Sequence, residues 1–155
     1  MTYRISGIDP AQFSHLFGLA DDALAGYRAV RRTVEEGDSL PERIELRDAL
    51  PGETVLLVNY THQPAPNPYH GTHAVFIREG ATRAASLLDA VPDVMAKRLI
   101  SLRAFDRQDF LTAADVVPGQ DLEALILDYF ARPEVAYLHA HYAKYGCFAA
   151  LVQRG

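Results

Sequence analysis

The stretch ETVLLVNYTH, residues 53–62, is apolar without a break from Val55 to Val58. It follows a Pro51-Gly52 turn and precedes QPAPNPYHG, residues 63–71, where three prolines in nine residues force an irregular loop. A short apolar run between such breakers predicts a central strand covered on both faces.

Beyond that loop, HAVFIREG (residues 73–80) reads as a neighbouring strand. In Arg43 to Arg47, Ile44 and Leu46 alternate with charged residues, as in a half-buried strand. Arg28 to Val34 is strongly charged and suits a sheet edge. At the N-terminus a strand through Tyr3 and Ile5 leads to a helix. Asp9 is its N-cap, Pro10 its first position, and Phe13, Leu16 and Phe17 its apolar face. Asp21 is placed to cap a second short helix. Residues 82–97 read as helical, broken near Pro92. RLISLRAF and FLTAADVV are strands joined by a turn at 106–109. In QDLEALILDYFAR, Leu122, Leu125, Ile126, Tyr129 and Phe130 fall on one helical stripe that Pro133 ends. A hairpin from Val135 to Val152 completes the chain. This order is not βαβα alternation. It predicts an α+β fold, a mainly antiparallel β-sheet with a few packed helices, in a single domain over residues 1–155.

At 155 residues, folding removes roughly 70% of the unfolded chain's surface from water, enough for a core without staples. One cysteine excludes an intramolecular disulfide. The start MTYRISGIDP lacks the basic and apolar regions of a signal peptide, and no apolar run is long enough to span a bilayer. The cytoplasm is therefore the expected location, with no membrane partner. A net charge of −5 without a basic block argues against nucleic acid. The sequon Asn59-Tyr60-Thr61 lies on the expected buried strand and is set aside. No Walker loop, G-x-G-x-x-G or G-x-S-x-G is present.

The chemistry concentrates in YLHAHYAKYGC, residues 137–147, which holds two of the six histidines and the only cysteine. Strand alternation puts Tyr137, His139 and His141 on one face and Leu138, Ala140 and Tyr142 on the other, which reads as core. Register decides where Cys147 goes. A three-residue turn at Lys144-Tyr145-Gly146 sets Cys147 opposite Ala143 and on the face of His141. Pairing of Tyr142 with Cys147 sends the thiol to the core face. Beside His141, Cys147 is a candidate nucleophile. His62, at the end of the central strand, is a third histidine for the cluster, with His70 and His73 in or beside the proline-rich loop. His-x-His plus a distant His is a zinc geometry with one position left open. Arg43 and Arg103, on the polar faces of their strands, are candidates for holding an anion.

Four segments, YRISGIDPAQFSHLFGL, PGETVLLVNYTHQPAPNPYHGTHAVFIREGA, LISLRAFDRQDFLTAADVVPG and AYLHAHYAKYGCFAALVQR, together resemble a small bacterial family known as domain of unknown function 1203. The likeness covers nearly the whole chain and implies a single domain, with YTHQP and HAHYAKYGC as family features. It implies no activity. Members of that family often carry Pro-Cys-Arg where this chain has Pro41-Glu42-Arg43, and Asn where it has Tyr142.

The expected function is binding of a small polar or anionic ligand in a histidine-lined cleft. His139, His141 and Cys147 are the catalytic candidates, and Arg43, His62, Arg103 and Tyr137 the ligand-binding ones. No cofactor is required by this reading. The alternatives are a zinc-dependent hydrolase with His62, His139 and His141 as ligands, and an interaction module or homodimer presenting Tyr142 and Tyr145.

Overall fold

The computed structural model describes residues 1–155. In chain order its elements are β1 (Tyr3–Ser6), α1 (Asp21–Gly26), β2 (Val30–Thr33), β3 (Pro41–Glu42), β4 (Arg47–Asp48), β5 (Thr54–Gln63), β6 (Gly71–Arg78) and β7 (Ser86–Leu88). Then come α2 (Asp93–Ala96), β8 (Leu99–Phe105), β9 (Leu111–Pro118), α3 (Leu122–Phe130), β10 (Tyr137–Tyr142) and β11 (Phe148–Arg154). The fold is α+β. Six strands form one sheet in the order β7-β1-β11-β10-β8-β9, and five form a second in the order β2-β5-β6-β3-β4. Every pairing is antiparallel except β3 with β6.

The two faces of the six-stranded sheet have different partners. Leu138 and Ala140 of β10 pack with Leu102, Ala104 and Val152 against Leu122, Ile126, Tyr129 and Phe130 of α3. This is the apolar helical stripe read from the sequence. The opposite face meets the second sheet, where Leu56, Val58, Val75 and Ile77 pack with Phe148. Val55 and Phe76 point the other way, into a small cluster with Val34, Leu40 and Ala49. The run Val55–Val58 is thus covered on both faces. Each fully buried Leu, Ile or Val contributes about 1.5–3 kcal/mol of transfer free energy.

Five local expectations are corrected. Residues 43–46 form a tight turn between β3 and β4, not a strand. The Glu42 carboxylate draws the chain around, accepting from the N–H groups of Ile44 (2.8 Å) and Glu45 (2.5 Å), and Leu46 takes a positive φ of 54°. Residues 86–88 are a strand paired with β1, so only the Asp93–Ala96 part of the expected 82–97 helix is helical. Near the N-terminus, Asp9 does cap, accepting from Ala11, but the turns that follow are 3-10 rather than α-helical. Asp21 is the first residue of α1 rather than its cap. Finally, Asn59 stands exposed on β5.

No helix is long and apolar enough to cross a membrane. The aromatic surface expected of Tyr142 and Tyr145 is also reduced to one ring. Tyr145 is 82% exposed, but Tyr142 is buried between the guanidinium groups of Arg43 and Arg98, 5.0 and 5.5 Å from its centroid.

Candidate functional site

The face of β10 opposite α3 carries Tyr137, His139 and His141. Facing the second sheet, His139 and His141 are 4% and 1% exposed. His62 arrives from the end of β5. Its ring lies 5.8 Å from that of His139 and 5.1 Å from that of His141, both edge-on. One ligating nitrogen from each of the three lies within 4.8 Å of the other two. His73 of β6 stacks on His62 at 4.7 Å, making a fourth imidazole at the rim. The Phe148 ring packs against His62, His139 and His141 at 5.3–5.7 Å and supplies the apolar floor.

Hydrogen bonding distinguishes the three rings. His141 Nδ1 donates to the Gly146 carbonyl at 3.0 Å, since a carbonyl can only accept. Its Nε2 is therefore the unprotonated nitrogen and accepts a long hydrogen bond from the Arg103 guanidinium at 3.5 Å, which a metal ion would have to displace. His62 Nδ1 and His139 Nδ1 are buried and have no hydrogen-bond partner. Such orphans are uncommon in folded proteins and each costs about 1–3 kcal/mol. Burial holds all three histidines neutral: His62 is pushed down to about 4, and His139 and His141 to about 3, with Arg103 adding to the effect. His73 is lowered for the same reasons. Arg103 is itself depressed by burial.

Tyr137 is built into the wall rather than free. It donates to Asp109 at 2.6 Å, accepts from the Gln63 amide at 2.9 Å and stacks on Phe105 at 5.3 Å. Burial and the Asp109 bond push its phenol up to about 12.

Arg43 and Cys147 lie together but apart from this cluster. The β10–β11 ladder pairs Ala140 with Ala150 and His141 with Phe148, so Ala149 is a bulge. Tyr142 donates to the Cys147 carbonyl, and Cys147 packs beside the core that holds Tyr142. Of the two registers open from the sequence, the structure takes the one that turns the thiol away from His141. Sγ instead accepts from Arg43 at 3.0 Å. Arg43 is a buried turn residue rather than a polar-face strand residue.

The model of the family described as Protein of unknown function (DUF1203) matches residues 39–154, well over half of the chain. The chain belongs to this family. The matched region of the DUF1203 chain contains His62, His73, His139, His141, Arg103, Arg43 and Cys147. No curated protein and no solved structure matches the chain.

Proposed function

We propose that the protein binds a divalent transition-metal ion, zinc by its donor set, through His62, His139 and His141. The fourth position, beside Arg103, then takes a small anionic substrate for hydrolysis. One observation carries this reading: three imidazole nitrogens converge within 4.8 Å, and two of the rings keep a buried, unpartnered Nδ1. Zinc–nitrogen bonds of about 2.0–2.1 Å in a tetrahedron place ligands roughly 3.3 Å apart, within reach of small ring rotations. All-nitrogen donors suit zinc, copper, nickel or iron over calcium or magnesium.

The surrounding residues support it further. The Gly146 carbonyl fixes the tautomer and orientation of His141, the usual outer partner of a metal-binding imidazole. Neutral histidines need release no proton to bind a cation at pH 7. Arg103 draws an anion to the open side and holds its charge. Zinc bound by three imidazoles supplies a water with a pKa near 7. Histidine acid/base chemistry without metal has less support. Groups titrating near 3 to 4 are poor bases at neutral pH, and the ring nitrogens of His141 meet a carbonyl and a guanidinium rather than an orienting carboxylate.

The test is elemental mass spectrometry of untagged, purified protein, alongside the H139A/H141A double variant. Near-stoichiometric zinc, iron or nickel that disappears in the variant is the expected result. Replacement by cobalt(II) should give the absorption of a tetrahedral nitrogen site. Wild-type protein that holds no metal on isolation and none after equilibration with zinc or cobalt would end this reading.

A further inference from the structure

A cavity of about 1010 Å³ opens beside the tip of the β10–β11 hairpin. Arg32, Arg43, Arg98 and Lys144 line it, and no aspartate or glutamate does. In a chain with net charge −5 this is a local reversal of sign. Phe76 and Tyr142 give the same cavity an apolar wall. Its size lies at the upper end of ordinary small-molecule sites, about 300–1,000 Å³.

Arg43 is the unusual member. It is 2% exposed, yet no carboxylate pairs with it. Nε donates to the Phe148 carbonyl, Nη1 to the Pro41 carbonyl and Nη2 to Cys147 Sγ. These bonds use three of its five N–H groups and leave two, and its charge is met only by the neighbouring Cys147, Tyr142 and Glu42, with no paired carboxylate. Arg32 and Arg98 are held by Asp38 and Asp48, and neither carboxylate lines the cavity. The cations are thus positioned around a space that no carboxylate lines.

We propose that this cavity binds an organic anion, a phosphate or carboxylate group on an apolar body. Arg43 and Lys144 take the charge, and Phe76 and Tyr142 the body. The inference stands on these residues alone and does not rest on the metal reading. The cavity shares only His73 with the histidine cluster.

The experiment is a titration followed by two-dimensional NMR of chelator-treated wild-type protein with phenyl phosphate, benzoate, inorganic phosphate and phenol. Saturable shifts centred on the hairpin tip are expected with phenyl phosphate, benzoate or both, and whichever binds identifies the acid group. Phenol should not saturate, and inorganic phosphate should bind more weakly than phenyl phosphate. R43Q should weaken binding about tenfold or more, as loss of a charge-assisted hydrogen bond requires. K144E, at an exposed position that leaves the fold intact, should do the same. Zinc-loaded wild-type protein should bind like the chelator-treated protein, which separates this site from the metal one. No saturable binding by either organic anion, or binding indifferent to K144E, or binding that needs added zinc, would overturn the proposal.

Discussion

His141 is oriented by the turn that follows it: its Nδ1 donates to the carbonyl of Gly146, 3.0 Å away, and Gly146 holds that carbonyl at a φ of 77°. A side chain in this left-handed conformation costs about 1–2 kcal/mol. A Gly146→Val variant should therefore relax the turn and release the ring. Loss of such an outer partner typically weakens metal binding by about 10- to 100-fold. Competition against a chromophoric chelator measures it, and an unchanged affinity in a folded variant would deny the carbonyl this role.

Gly71 leaves room for the His62 ring. A Cβ there would stand 3.1 Å from Cε1 of His62, so the ring must give by a few tenths of an ångström, and more for a branched side chain. Gly71→Val should lower metal stoichiometry while circular dichroism stays native. His70, exposed and absent from the cluster, supplies the contrast: His70→Ala should keep full metal content.

Acid should destabilise the metal-free protein before its carboxylates titrate. In the unfolded chain a histidine gains its proton near 6.5, whereas in the fold His62 waits until about 4 and His139 and His141 until about 3. Between those values the unfolded chain binds more protons. Stability present in full above about pH 6.5 is lost as pH falls toward 3, with a slope of up to about 1.4 kcal/mol per pH unit for each histidine. Urea unfolding at a series of pH values should show this slope, and H139A/H141A should flatten it.

Gly7 ties the first sheet to the turn bearing Arg43. A Cβ at Gly7 would meet the Ile44 carbonyl oxygen at 2.0 Å, and Ile8 donates to the Arg43 carbonyl at 2.8 Å. Gly7→Ala should cost about 3 kcal/mol, at the upper end of overpacking effects. Gly26→Ala, with open space around it, should change stability by less than about 1 kcal/mol. Urea midpoints of the two variants, expected to differ clearly, decide this.

The parts of the fold legible in the sequence are those set by a local period. The stripe of α3, the unbroken run Val55–Val58 and the alternation of β10 each follow from which face is covered. What periodicity misses depends on distant partners. The alternation in residues 43–47 looks like a strand, but the Glu42 carboxylate folds it into a turn and also accepts from Arg78 of β6 at 3.2 Å. Residues 86–88 become a strand because β1 offers an edge. Within the site, strand alternation identified His139 and His141, and its place at the end of the central strand identified His62. His73 stood beside the proline-rich loop, with nothing local to mark its stacking on His62. Nothing around Arg98 or Lys144 signals that they line a cavity with Arg43, since their proximity is a product of topology.

The bulge at Ala149 sorts sulfur from nitrogen. By adding one residue to β11 it turns Phe148 toward the imidazoles and Cys147 toward Arg43. Without it, His141 would face Ala149 and Ala143 would face Cys147, which places a soft thiolate donor beside three imidazoles. Four protein donors close a zinc site and make it structural, whereas three leave a position for exchange. A single unpaired backbone residue thus sets whether the donor set ends at three or at four.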